Sequence, residues 1–220
     1  MKKSKISTSI LLLFSILLSA GVLKAQNEEN NNPSRFGVKA GVNISNLFAN
    51  DVVANNAQIG FNGGVFLKIS LTNHFAFQPE LLLSTQGAEL EYNSVSVTGT
   101  MTPHLNYVQV PLLAVFNVSE NVNLQGGLYL ASLVGVNINN GDDNGTFNFE
   151  EELSKSNFNG IDYGLVAGIG ADINRISFGI RYNYGLNNIG KEFTFSDQVV
   201  QHFPDARNSV FQAYLGFSLL

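Results

Sequence analysis

The chain contains no cysteine. That excludes disulfides, a lipid-modified cysteine anchor and thiolate metal sites, and it carries no weight against an oxidising compartment. Charge is scarce: Asp, Glu, Lys and Arg make up 13% of the residues, where about 25% is usual for a soluble protein. After residue 25 there is no run of 18 apolar residues, so no transmembrane helix is predicted. The catalytic patterns G-x-S-x-G and H-E-x-x-H are missing as well, which removes the nucleophile elbow and the zinc-protease helix. Gly168-Ile169-Gly170 lacks the third glycine and the following helix of a dinucleotide fingerprint, and reads better as interior room.

What is present begins with a targeting pattern. Lys2, Lys3 and Lys5 precede the apolar run 10–18, which is too short to span a bilayer, and Leu23-Lys24-Ala25 offers a small-residue cleavage site. Residues 1–25 are therefore expected to be a cleaved signal peptide, 26–34 a polar periplasmic leader, and 35–220 a single domain. An uncleaved anchor is the alternative. Without Lys2, Lys3, Lys5 and Lys24, eight basic residues face seventeen acidic ones, a net charge of −9. Nucleic acid is thereby disfavoured as a partner, and so is polybasic attachment to anionic lipid.

The domain is written in period two. In FAFQPELLLSTQG (75–87), Phe75, Phe77, Leu81 and Leu83 fall on one face and Gln78, Glu80, Ser84 and Gln86 on the other. Seven further stretches alternate in the same way: 35–45, 58–71, 103–116, 122–138, 158–173, 176–186 and 208–220. The connections run long, short, long, short, long, short, long. Short turns at one end and long loops at the other are the signature of an outer-membrane barrel, with both termini in the periplasm. The predicted fold class is all-β: an eight-stranded antiparallel up-and-down transmembrane β-barrel with its oily wall toward lipid. Val122, Leu124, Leu128, Leu130, Val134 and Val136 are assigned to that outer wall. Pro79 and Pro111 lie inside neighbouring strands, where proline cannot donate to the ladder, and they predict a local bulge or water-filled gap. A soluble calyx with reversed walls is the rival fold.

The segments FGVKAGVNISNL (36–47), FAFQPELLLSTQG, LNYVQVPLL (105–113), GGLYLASLVG (126–135), IDYGLVAGIGADI (161–173) and RYNYGLNNI (181–189) together resemble the PorT-like outer-membrane β-barrel family of Bacteroidetes. The resemblance runs in order over nearly the whole chain after residue 25. It implies an eight-stranded barrel in the outer membrane, and the expected partners are outer-membrane lipid, periplasmic chaperones and the barrel-assembly machinery. Members of that family usually end in an aromatic residue that aids recognition by this machinery, whereas this chain ends Phe217-Ser218-Leu219-Leu220.

Parity also sorts the charges. Lys39, Lys68, Glu80, Asp162 and Arg181 are expected to point into the barrel as a structural ion-pair network, because buried charges need partners whatever the function. Eight strands enclose a lumen narrow enough for side chains to fill. No catalytic, cofactor-binding or metal residues are assigned. His104 and His202 fall at or in external loops, where His104 with Asp205 or Ser209 is a candidate pair that nothing in the spacing requires. Asp142, Asp143 and Glu150 to Glu152 make one loop acidic without the spacing of a calcium site. The expected role is non-enzymatic: a scaffold, a surface-loop binder of an envelope protein, or an accessory to envelope machinery. A narrow pore for small solutes is the alternative.

Overall fold

The computed structural model describes residues 34–48, 56–94, 97–141, 159–188, 193–195, 199–201 and 207–219. The signal-peptide assignment, residues 26–33 of the leader, the acidic residues 142, 143 and 150–152, His202 and Asp205 lie outside them. Ten strands form: β1 (Arg35–Phe48), β2 (Asn56–Ser70), β3 (Phe75–Ser94), β4 (Val97–Asn117), β5 (Val122–Gly141), β6 (Ile161–Ile173), β7 (Ile176–Gly185), β8 (Phe193–Phe195), β9 (Val199–Gln201) and β10 (Arg207–Ser218). Strands β1 to β7 and β10 close into one antiparallel barrel, while β8 and β9 make a separate two-stranded ribbon.

Closure follows from the alternation. Phe61 is 68% exposed and its neighbour Asn62 only 5%. The same contrast runs along β10, where exposed and buried residues alternate from Val210 to Ser218. Val42, Ile59, Leu83, Leu128, Ile169, Ile180 and Leu215 all stand out from the wall. An apolar belt of this extent is untenable in water. In hydrocarbon it is the stable arrangement, provided that a closed ladder satisfies every backbone group. Following partners from Ala76 through Val115, Gln125, Gly168, Arg181, Gln212 and Asn43 to Gly60 winds once around the barrel. The line rejoins β3 about ten residues farther along, which corresponds to a strand tilt of about 40°.

The lumen is filled by side chains and has two characters. Leu105, Tyr107, Leu113, Val115, Tyr129, Ala131, Leu133 and Val166 make an apolar stripe on β4, β5 and β6. The buried residues of β1, β7 and much of β2 and β3 are polar or charged.

Two expectations change and a third is sharpened. Residues 91–101, expected as a loop or a frayed hairpin tip, take the hairpin form: β3 continues to Ser94 and β4 starts at Val97, paired as a tall hairpin. The prolines cause no bulge. Pro79 pairs with Leu112, Leu82 with Gln109 and Pro111 with Tyr129, all without a register shift. The missing N–H groups remove only nearby rungs, and the surrounding strands hold the register. The bulges lie elsewhere, between Ala57 and Asn62 on β2 and beside Asn106 and Tyr107 on β4. The second of these corrects Val136. Tyr107 pairs with Leu133 and Asn106 with Gly135, so Val134 is the extra residue and the parity of β5 flips beyond it. Val136, expected outside, packs against the inner apolar stripe.

The outer wall makes a direct prediction. Leu128→Arg, near the middle of the belt, should lower the unfolding free energy in lipid vesicles by about 2–4 kcal/mol. Urea titration followed by tyrosine fluorescence measures this. A change near zero would place Leu128 away from lipid.

Candidate functional site

The polar half of the lumen is organised around Glu80, whose relative exposure is 0%. Even-numbered residues of β3 point inward, which carries Gln78, Glu80 and Ser84 to the same side. Arg181 reaches Glu80 from β7 as a two-pronged fork: Nη1 donates to Oε2 at 2.8 Å and Nη2 to Oε1 at 2.9 Å. Lys39 of β1 donates to both carboxylate oxygens at 3.1 Å. Gln78 Nε2 adds a bond to Oε1 at 2.6 Å. Planar guanidinium matches planar carboxylate, so this fork fixes orientation as well as charge.

A second shell of contacts holds the cations. Arg181 Nε donates to Gln125 Oε1 at 2.6 Å, and Gln125 Nε2 donates to Tyr214 Oη at 2.8 Å. The Tyr214 ring lies 3.6 Å from Lys39 Nζ and 4.5 Å from Arg181 Cζ, measured to the ring centroid. Its negative face therefore attracts both cations at once. Space for this cluster comes from glycine. A Cβ at Gly168 would sit 2.7 Å from Arg181 Cγ, and one at Gly170 2.6 Å from Gln125 Nε2.

The five residues assigned to the lumen separate into three places. Lys39, Glu80 and Arg181 form the cluster just described. Lys68 lies nearer the periplasmic end and pairs with Asp172 instead, Nζ to Oδ2 at 2.7 Å. Ser177 Oγ and Asn123 Nδ2 also donate to Asp172, at 2.6 and 3.1 Å. Asp162 stands near the external rim, where its Oδ2 accepts from Tyr129 Oη at 3.0 Å and Asn208 Nδ2 at 2.8 Å. Asp172, Gln78, Gln125 and Tyr214 were absent from the assigned set. Their inward parity was readable; their partners were not, since these depend on which strands face each other across the lumen.

The described histidines, His74 and His104, do not converge. His74 sits in the periplasmic turn and stacks on Phe116 at 6.4 Å. His104 belongs to β4 and bonds Gln58. Ser209 bonds Tyr182 Oη at 2.9 Å. Among the described residues no group of three His, Cys, Asp or Glu side chains is arranged to hold a metal ion. What the Glu80 cluster can do is close the lumen, and the cost of breaking it is set by burial. Glu80→Ala leaves two cations without their counter-charge and should lower stability by about 3–5 kcal/mol. Lys39→Met should cost less, because Arg181 keeps its fork on Glu80. Urea unfolding of the three proteins in vesicles gives the ranking, and an unchanged Glu80→Ala midpoint would show that the cluster contributes nothing.

A family model described as outer membrane protein beta-barrel domain matches residues 24–191. No curated protein matches the chain. Several solved structures are similar in fold. Neisserial surface protein A is 14% identical with a TM-score of 0.48, covering 86% of this chain and 100% of its own. OprG of Pseudomonas aeruginosa is 8% identical with a TM-score of 0.47, covering 88% and 99%. Ail, the attachment invasion locus protein of Yersinia pestis, is 13% identical with a TM-score of 0.45, covering 84% and 99%.

Proposed function

This chain belongs to the outer membrane protein β-barrel domain family, and from that premise we propose that it is a closed, non-enzymatic barrel whose work is done by what it holds outside the membrane. The observation that carries the reading is the Glu80 cluster. Side chains from β1, β3 and β7 meet across the lumen with the carboxylate wholly buried. A filled barrel is a rigid mount, and loops on a rigid mount commonly carry function. The β3–β4 hairpin adds to that surface, since both strands run 20 residues or more while β7 has 10. The tethering of His104 to Gln58 and the placing of His74 at the opposite end favour a binding role over catalysis.

Within the family we favour the PorT-like branch of Bacteroidetes, on the ordered motifs from FGVKAGVNISNL to RYNYGLNNI. On this reading residues 1–25 direct export and are removed, and residues 26–34 remain as a leader. Periplasmic chaperones and the barrel-assembly machinery deliver the chain to the outer membrane, and an envelope protein docks on the external loops. A narrow pore is the competing role, since the lumen is lined with polar groups. Single-channel recording in planar bilayers decides between them. The purified barrel should give no steady current over hours at moderate voltage. A sustained ohmic conductance would replace the mount with a pore.

A further inference from the structure

Buried polar atoms without a hydrogen bond are unevenly spread in this barrel. Among the described residues, Ser218 Oγ is on the periplasmic side of the Glu80 cluster. The others, on Gln58, Asn62, Gln86, Tyr107, Gln109, Asp162, Asn183, Asn208 and Gln212, lie between that cluster and the external rim. Native interiors leave few such groups, and each one calls for an explanation.

Toward the rim the deficit is chiefly of acceptors, with the Tyr107 hydroxyl and the Asn183 amide the groups able to donate. Asn208 spends Nδ2 on Asp162 Oδ2, which also accepts from Tyr129. Gln86 spends Nε2 on Ser84 Oγ at 3.1 Å, and Gln58 spends Nε2 on His104. What remains is a set of acceptors: Asp162 Oδ1, Asn208 Oδ1, Gln86 Oε1 and Gln58 Oε1. The Tyr163 N–H beside Asp162 is already given to Asn187 Oδ1 at 3.0 Å. Among the described residues Asp162 has no cation partner, although it is 1% exposed. The other five inward charges pair among themselves, with Lys39 and Arg181 both on Glu80 and Lys68 on Asp172. Among the described residues the lumen thus holds one surplus positive charge at Glu80 and one carboxylate near the rim without a cation.

Asp162 is the second residue of β6 and Asn208 the second of β10, so both stand at the external strand ends. Their bridge crosses β7 at Gly185, where an added Cβ would lie 3.4 Å from Asp162 Oδ1. Tyr129 brings its hydroxyl to the carboxylate, and the Tyr107 hydroxyl is left without a hydrogen bond. We propose that this external mouth binds a small primary ammonium ion, whose N–H donors go to Asp162 Oδ1 and Asn208 Oδ1. One carboxylate among neutral oxygens matches a single positive charge. A divalent ion takes six to eight oxygens, usually from several carboxylates. The site stands whether or not the barrel conducts.

The test uses the full folded chain in neutral octyl-glucoside micelles, titrated with methylammonium, tetramethylammonium and potassium chlorides. The readout is the amide NMR shifts of Gly185 and Asn208. Methylammonium should shift both saturably. Potassium lacks N–H donors and so does tetramethylammonium, so each should bind about tenfold more weakly or not at all. Asp162→Asn should weaken methylammonium by a similar factor. Equal responses to the three cations, no saturable shift, or an unchanged Asp162→Asn would each overturn the proposal. Should Asp162→Asn fail to fold, the three-cation comparison on the unmodified chain decides by itself.

Discussion

The constraint on which everything else here depends is that hydrocarbon offers no hydrogen bonds. An unpaired backbone N–H or C=O in lipid costs several kcal/mol, so a strand sheet there must have no edge. The pairing of β1 with β10, twelve partners long from Gly37 with Ser218 to Phe48 with Arg207, is the seam that removes it. The same constraint explains why Pro79 and Pro111 are absorbed without a bulge. A local shift would have to propagate around a closed ring, whereas a lost rung is a local loss.

Closure brings a second problem inward. Eight tilted strands leave a lumen that water cannot usefully fill, so the inward residues must satisfy one another. The barrel solves this differently on its two sides. On β4, β5 and β6 apolar groups pack together. On the other side charges and amides interlock, with the Arg181 fork on Glu80 as the firmest element and the Tyr214 ring placed between two cations. Glycines on β6 make the fit possible, because Arg181 and Gln125 pass where a Cβ would stand. The external end is less completely satisfied.

Much of this was legible beforehand because period two is a direct imprint of a two-sided wall. Phe75, Phe77 and Leu83 against Gln78, Glu80 and Ser84 already separate lipid from lumen. The illegible parts share one cause. Val136 follows a bulge, and a single extra residue reverses every side chain beyond it. Residues 91–101 are polar and fit a loop as well as a hairpin tip, and only the partner strand decides for the hairpin. Lys68 was assigned to one network with Glu80, but its partner is Asp172.

The sequence by itself determined the number of barrel strands, their polarity, the sorting of short and long connections, and which charges face inward. These are local properties, since a residue's face depends on its position within its own strand. Only the tertiary structure decided who meets whom: Glu80 with Arg181, 101 residues apart, Lys68 with Asp172, and Asp162 with Asn208 rather than with a cation. Those pairings depend on the stagger of strands around a closed ring. That quantity belongs to the whole barrel, and no single stretch of the chain contains it.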